Sequence, residues 1–263
     1  MDLGIRGRRA LVGGASGGLG RAIAERLAAE GCALTLTARR IDSLEAVAAD
    51  LRGQHGAEVA VLTSDMADPA GPAQLAAGAI EAMGGVDILV LNAGGPPPVD
   101  VTATDADGWR HAFQLLAISP IDLATRLLPA MRQRRWGRIV AVGSWAVRQP
   151  EADLAYSNAG RSALVAWLKT TSRAVAADGV TVNGALPGRH ATARIEQLEA
   201  AAAKRTGRSV DDVRAANLAT IAARRYGDPA DFASYVAYLC SEPAGYQTGT
   251  FTAVDGGLVI GLP

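Results

Sequence analysis

The chain has 263 residues, enough to bury one substantial hydrophobic core, and we expect a single domain over residues 1–263. Its 26 Lys and Arg residues balance 26 Asp and Glu residues, which argues against a nucleic-acid surface or a basic membrane anchor. Cys32 and Cys240 lie outside any CxxC spacing, so neither a disulfide framework nor a metal site is indicated. With no apolar leader and no apolar stretch approaching about 18 residues, we expect a cytoplasmic protein with a small-molecule partner.

A glycine-rich turn near the start of the chain is the strongest local signal. Residues 11–20 form a short apolar run, then a cluster of glycines, then the start of a helical pattern. Glycines let the backbone approach a pyrophosphate, and the unpaired N–H groups of a helix N-terminus attract its negative charge. The segment therefore predicts a dinucleotide site. The expected contributors are Gly14, Ser16, Gly18, Leu19 and Gly20.

Apolar runs and helix-length segments alternate along the rest of the chain. Because the runs are continuously apolar, both sheet faces should be covered, which predicts an α/β fold with one Rossmann-type, doubly wound parallel sheet and helices on both faces. Ligands are then expected at the carboxyl ends of the strands. The polar, Ala-rich stretch over about residues 190–225 predicts a small helical lid over a pocket. The seven predicted strands cover residues 10–12, 33–37, 59–63, 88–91, 139–142, 180–182 and 251–254.

From the glycine-rich turn onward, the chain resembles the short-chain dehydrogenase/reductase family over nearly its whole length. Gly14, Gly18 and Gly20 match the family's glycine-rich turn, and further motifs follow in the family's order. The resemblance implies a homo-oligomer, a dimer or a tetramer, that uses the helices near residues 119–135 and 155–177. It also implies cofactor contacts at Asp65, Met66, Asn92, Ala93, Gly94, Arg161, Pro187, Gly188 and Thr192.

The end of the second predicted strand bears on the choice of cofactor. Arg39 and Arg40 stand where an acidic residue would pair with the free ribose 2′-hydroxyl of NAD. Guanidinium groups can instead hold the 2′-phosphate of NADP through charge-assisted hydrogen bonds, so we expect NADP rather than NAD. The alternative is that both arginines only solvate the start of the next helix.

The catalytic positions depart from the family pattern. The resemblance implies a serine, a tyrosine with a lysine four residues later, and an asparagine that completes a water relay. Ser144 matches the serine, but Ser157 stands at the tyrosine position and Arg161 at the lysine position. When residues 109–131 are laid on the family's helix, Leu116 takes the place of the asparagine. Tyr156 lies one residue before the tyrosine position.

Helical geometry separates these candidates. At about 100° per residue, Ser157 and Arg161 lie roughly 40° apart on one face, whereas Tyr156 and Arg161 lie roughly 140° apart. A kink at the start of this helix could still turn Tyr156 inward. Arg161 supplies charge and hydrogen-bond donors, but it does not release a proton.

Three functions remain open at this stage. The first is an NADP(H)-dependent oxidoreductase in which Ser144, Ser157 and Arg161 polarise a carbonyl, while solvent, Tyr156 or a substrate group supplies the proton. The second is a non-redox enzyme that reuses the pocket, as in the related halohydrin dehalogenases. The third is a nucleotide-binding sensor or partner subunit without turnover. We expect the first.

Three residues beside the expected nicotinamide loop add further hypotheses. His190 is a candidate proton donor, with a solvated lid residue as the alternative. Arg189 and Arg194 flank the same mouth, where they could attract a carboxylate, a phosphate or an acyl-carrier group.

Overall fold

The computed structural model describes residues 1–261, in which seven parallel strands form one sheet in the order β3-β2-β1-β4-β5-β6-β7. The strands are β1 (Arg9–Gly13), β2 (Ala33–Ala38), β3 (Val59–Thr63), β4 (Ile88–Leu91), β5 (Gly137–Val142), β6 (Val180–Pro187) and β7 (Phe251–Val254). The helices are α1 (Gly18–Ala29), α2 (Ile41–His55), α3 (Gly71–Met83), α4 (Ala106–Phe113), α5 (Ser119–Gln133), α6 (Ala155–Val175), α7 (Ala193–Thr206), α8 (Val210–Thr220) and α9 (Pro229–Leu239). The predicted fold class is confirmed.

Helices cover both faces of the sheet, and each face has its own hydrophobic core. Successive strand side chains point to opposite faces, so Val12 and Leu11 of β1 belong to different cores. One core packs α1, α2 and α9 against the sheet, and the other packs α3, α5 and α6. This burial on both sides explains why the strands are continuously apolar in sequence.

The strand β6 is longer than predicted, because it runs to Pro187 instead of ending near residue 182. Asn183, Gly184 and Pro187 are poor strand formers and read as a turn. Tertiary pairing overrides that preference, since residues 184–187 align with β7 and the Asn183 side chain accepts a hydrogen bond from Thr250 N at 3.1 Å. The extension carries the chain to the edge of the sheet where the lid begins.

The segment treated as one helix over residues 109–131 is interrupted. A π-helical turn over Gln114–Ile118 separates α4 from α5, and such turns are frequent at functional sites. Leu116 lies in this turn, buried against α6, where a Cβ built at Gly160 would lie 3.1 Å from Leu116 Cβ. At this position the chain therefore presents an apolar packing contact.

The segment expected to form a lid contains α7 and α8, which are held together by a buried carboxylate. Glu199 of α7 accepts a hydrogen bond from Arg214 Nη2 of α8 at 3.1 Å and another from the Tyr226 hydroxyl. Burial raises the pKa of Tyr226, and Glu199 raises it further. At the base of the lid His190 and Gly227 form a short parallel bridge. The Glu199 carboxylate thus joins α7 to α8, and the bridge joins the two ends of the segment.

The helices expected to make subunit contacts, α5 and α6, cover the same face of the sheet. Association into a dimer or a tetramer stays a prediction. Among the helices of residues 1–261, none is both long and apolar enough to cross a membrane. Cys32 and Cys240 are buried free thiols.

A buried carboxylate anchors the start of β4 to two neighbouring segments. Asp87 is 4% exposed and accepts hydrogen bonds from Arg9 Nε at 2.8 Å and Arg9 Nη2 at 2.7 Å, with Arg134 Nη2 at 3.1 Å. Burial alone would raise the pKa of Asp87, but the hydrogen bonds and charge of Arg9, with the charge of Arg134, hold it below its ordinary value. The ionised carboxylate is therefore the form that stabilises the fold.

We predict that Asp87→Asn lowers the free energy of unfolding by about 2–3 kcal/mol at pH 7, because two arginines lose a buried partner. Asp122→Asn, which removes the partner of Arg126 in an exposed pair, should cost less than about 1 kcal/mol. The measurement is urea unfolding. Since the pKa of Asp87 is depressed in the folded state, its contribution should be present at neutral pH and fall as the pH drops below about 4. Equal costs for the two substitutions would contradict a stabilising role for the Asp87 charge.

Candidate functional site

The glycine-rich turn forms a cradle at the carboxyl end of β1. Gly14 has a φ of 59°, in the left-handed region that favours glycine. A Cβ built at Gly20 would lie 2.1 Å from the Gly14 carbonyl oxygen, so the first turn of α1 packs directly on the loop. The N-cap residue of α1 is Gly17, which has no side chain to bind the free N–H groups of that turn. This arrangement fits a pyrophosphate.

The other residues expected at the cofactor lie along the same edge of the sheet. The Asn92 side chain donates from Nδ2 to the Gly13 carbonyl at 3.0 Å and so joins the loop after β4 to the cradle. From the lid side, Thr192 Cγ2 would lie 3.5 Å from a Cβ built at Gly18. Arg39 and Arg40 follow β2, Asp65 and Met66 follow β3, Asn92, Ala93 and Gly94 follow β4, and Pro187, Gly188 and Thr192 lie at or after the end of β6.

The residues expected to act on substrate lie just after the carboxyl end of β5 and in the first two turns of α6. Arg161 Nε donates to Ser157 Oγ at 3.2 Å, and Arg161 Nη1 donates to the Val142 carbonyl at 2.9 Å. The i, i+4 spacing on α6 brings Ser157 and Arg161 onto one face, and the end of β5 fixes the guanidinium. Ser144 follows β5, where its Oγ accepts a hydrogen bond from Ala146 N at 3.1 Å. Because this hydrogen bond uses only a lone pair of Oγ, the hydroxyl hydrogen of Ser144 is still free to donate elsewhere.

The charge of Arg161 is partly withdrawn from water. Burial lowers its pKa to about 10, and the nearby charge of Arg194 contributes to the shift. Arg161 is still protonated at neutral pH. Burial also lowers the pKa of Arg194, which donates from Nη2 to the Pro96 carbonyl at 2.8 Å. Two guanidinium charges therefore lie close together in partly buried positions.

Tyr156 lies against α4 and not beside Arg161. Its hydroxyl accepts a hydrogen bond from Asp105 N at 2.9 Å, and its ring meets Trp109 edge-on at 4.7 Å between centroids. A Cβ built at Gly108 would lie 2.2 Å from the Tyr156 hydroxyl oxygen, so the glycine leaves room for the ring. The phenol anchors the start of α4, and α6 is regular from Ala155 onward. Gly108 is the sequence signal that could have indicated this contact.

A cavity of about 390 Å³ lies between the lid and the loops that follow β4 and β5. Arg189 pairs with Glu151 at 3.0 Å, and Arg205 pairs with Asp153, so the charges at its rim are largely compensated. The sequence indicates Arg189 at this mouth but not the other lining residues, because they come from four separate segments. They are Pro98, Val99, Asp100, Glu151, Asp153, Leu154, Arg189, Leu198, Ala201, Ala202, Arg205, Val213 and Asn217.

His190 is buried against α9, in contrast to the solvated lid residue that was the alternative to a proton donor. Its ring meets Phe232 edge-on at 5.3 Å between centroids, and Nδ1 lies 3.4 Å from the Gly188 carbonyl. Burial lowers the pKa of His190, so the neutral form is favoured in the folded protein. These contacts indicate a packing role at the base of the lid.

Comparison with known proteins agrees with this geometry. Residues 14–259 match a family model described as enoyl-(acyl carrier protein) reductase. A 3-oxoacyl-[acyl-carrier-protein] reductase of Vibrio cholerae is 34% identical over 254 residues, covering 97% of this chain and 98% of the relative. The NADPH-dependent reductase BacG of Bacillus subtilis is 30% identical, covering 95% and 97%.

A solved structure of a reductase also matches this chain over its full length. The L-sorbose reductase of Gluconobacter frateurii, complexed with NADPH and L-sorbose, superimposes with a TM-score of 0.94 at 31% identity, with 100% of both chains covered. The NADPH named for this enzyme and for the Bacillus subtilis reductase supports the prediction of NADP rather than NAD.

We predict that His190 makes stability depend on pH. Because its pKa is depressed in the folded state, the unfolded chain binds the proton more readily, and stability should fall as the pH drops below about 6.5. Unfolding by urea at several pH values should show a flatter profile for His190→Gln. The exposed His55 is the control, and His55→Gln should leave the profile unchanged. Identical profiles for His190→Gln and the unsubstituted protein would refute the prediction.

Proposed function

Because the chain belongs to the short-chain dehydrogenase/reductase family, we propose that it is an NADP(H)-dependent oxidoreductase that interconverts a carbonyl and an alcohol on a small to medium organic substrate, with a non-standard proton donor. The observation that carries the proposal is the Ser157–Arg161 pair, 3.2 Å apart, at the same sheet edge as an intact glycine-rich cradle. Ser144 completes the set from the end of β5.

The residues around the cradle fit the dinucleotide. The free N–H groups at the start of α1 suit the pyrophosphate, and the exposed Arg39 and Arg40 suit a 2′-phosphate. When bound, NADPH supplies the hydride. Asp65, Asn92 and Thr192 border the same groove and would hold the adenosine and nicotinamide ends.

The hydroxyls of Ser144 and Ser157 would donate hydrogen bonds to the substrate carbonyl oxygen. Arg161 donates to Ser157 Oγ, so the hydroxyl hydrogen of Ser157 is free to point toward the substrate. The guanidinium charge then stabilises negative charge as it develops on that oxygen. Because these groups are in place before reaction, little reorganisation is needed.

The proton would come from water or through Ser157. An alkoxide is basic enough to take a proton from either, so reduction needs no strong acid at this position. Oxidation of an alcohol requires a base, and a serine hydroxyl is a poor one at neutral pH. Tyr156 is bound to Asp105 N and takes no part in this scheme. The same groups would serve both directions, because the base in alcohol oxidation is the conjugate base of the proton donor in carbonyl reduction.

A first prediction concerns the cofactor. Arg39→Gln should weaken NADPH binding by about tenfold and leave NADH binding unchanged, because only NADPH carries the 2′-phosphate. Arg40→Gln should have the same direction of effect. The exposed Arg173 of α6 provides a control with the same change of charge, and Arg173→Gln should affect neither cofactor. Fluorescence titration measures both dissociation constants. Equal weakening of NADPH and NADH would exclude recognition of the 2′-phosphate.

A second prediction concerns turnover. With a panel of uncharged ketones, Arg161→Ala should lower kcat by about 100-fold or more, because a charge next to the developing oxyanion is lost. Tyr156→Phe should stay within about threefold of the unsubstituted protein, since its hydroxyl faces Asp105. The rate should be nearly constant from about pH 6 to pH 9, because Arg161 keeps its proton over this range.

Two outcomes would count against this scheme. Complete loss of turnover in Tyr156→Phe would assign the proton to the tyrosine. NADPH binding without turnover of any ketone would favour a nucleotide sensor or partner subunit. Stopped-flow measurement of NADPH oxidation distinguishes these cases.

A further inference from the structure

Two partly buried arginines meet at the carboxyl edge of the sheet, next to segments that line the cavity. Arg161 reaches this point from α6, and Arg194 reaches it from the first turn of α7. A Cβ built at Gly95 would lie 3.9 Å from Arg161 Nη2 and 3.3 Å from Arg194 Nη2. The two guanidinium groups therefore face one point above the loop that follows β4. The hydrogen bond to the Pro96 carbonyl fixes Arg194 there.

The charges of this pair are not compensated by the protein. Within residues 1–261, carboxylates pair with Arg189 and Arg205 at the rim of the cavity, but with neither Arg161 nor Arg194. Burial removes water from both guanidinium groups and lowers the pKa of each, and the charge of Arg194 lowers the pKa of Arg161 further. An anion between them would relieve this repulsion and gain charge-assisted hydrogen bonds from both.

Resting on the proposed function, we propose that Arg161 and Arg194 form a clamp for the carboxylate of an oxo-acid substrate, with the reacting carbonyl one or two bonds from that carboxylate. Arg161 Nε and Nη1 are engaged by Ser157 and Val142, which leaves Nη2 for the ligand. Nε and Nη2 belong to the same guanidinium group, so a carboxylate bound at Nη2 lies close to Ser157. A carbonyl one or two bonds from that carboxylate would then lie near the Ser157 hydroxyl. This geometry favours 2-oxo and 3-oxo acids.

The cavity indicates what the rest of the substrate is. Arg194 lies one helical turn before Leu198, which lines the cavity together with Pro98 and Leu154. A substrate held by its carboxylate at the clamp would extend its remaining atoms among these apolar side chains. The apolar part of the cavity would therefore favour an acid with an apolar tail.

A phosphate group of the cofactor offers the same ligand chemistry. The start of α1 already provides free N–H groups for a pyrophosphate, and Thr192 closes over Gly18 from the lid. The clamp lies instead above Gly95, on the loop that follows β4. We therefore assign it to the substrate.

The test uses the whole protein saturated with NADP⁺, which occupies the cofactor site but cannot reduce a ketone. Calorimetry compares 2-oxo-4-phenylbutanoate with its uncharged amide. We expect the acid to bind at least about tenfold more tightly than the amide, and Arg194→Gln to remove this preference while NADP⁺ binding stays within about twofold. Arg194→Lys should restore part of the preference. Arg208→Gln, which removes an exposed lid charge, should keep all of it.

The outcomes separate the clamp from the proposed function. Equal binding of acid and amide, or a preference that survives Arg194→Gln, would overturn the clamp. Weakening of NADP⁺ binding by about tenfold or more in Arg194→Gln would assign the arginines to a cofactor phosphate and also overturn it. NADPH-dependent reduction of an uncharged ketone, measured in parallel, tests the proposed function alone. Melting temperatures establish that each variant is folded, and Arg194→Met replaces Arg194→Gln if the latter is not.

Discussion

Parallel pairing of the strands is the constraint on which the rest of the molecule depends. Because all seven strands of residues 1–261 run in one direction, their carboxyl ends share one edge, and β1 stands between β2 and β4 where the strand order reverses. The glycine-rich turn leaves β1 into the resulting crevice. Segments far apart in sequence then converge there without long loops. The residues brought to this edge include Arg39, Asp65, Asn92, Ser144 and Thr192.

Arginine at position 161 changes what this edge can do. A lysine would present a compact ammonium group, whereas a guanidinium has a planar set of donors that several partners can share. Arg161 uses two of its nitrogens on Ser157 and Val142, so its position is set by the protein before any ligand arrives. The site gains a rigid, positively charged donor and gives up a group that could exchange protons near neutral pH. Arg161 can therefore act by stabilising negative charge, and not by exchanging a proton with the substrate.

The sequence predicted the architecture well because it depends on local patterns. Continuous apolar runs, helix-length spacers and glycine positions are all visible within a few residues of one another. What it missed depends on contacts between distant segments. Pairing with β7 extends β6 through residues that favour a turn, Asp105 and Gly108 receive the side chain of Tyr156, and five segments line the cavity. The burial of His190 under α9 was missed for the same reason, because only its packing against a distant helix distinguishes this histidine from an exposed loop residue.

The tied base of the lid has a mechanical consequence. Ala191 N donates to the Gly227 carbonyl at 2.9 Å, and Gly227 N donates to the Arg189 carbonyl at 3.0 Å, so the outgoing and returning chains run side by side. Glu199 joins α7 to α8 above them. Farther from this base, Arg205 pairs with Asp153 and Arg194 donates to the Pro96 carbonyl, so the loops after β5 and β4 hold the segment as well. Contacts on three sides fix the spacing between the segment and the sheet, and a cavity of fixed width would make the size of the substrate a basis for selection.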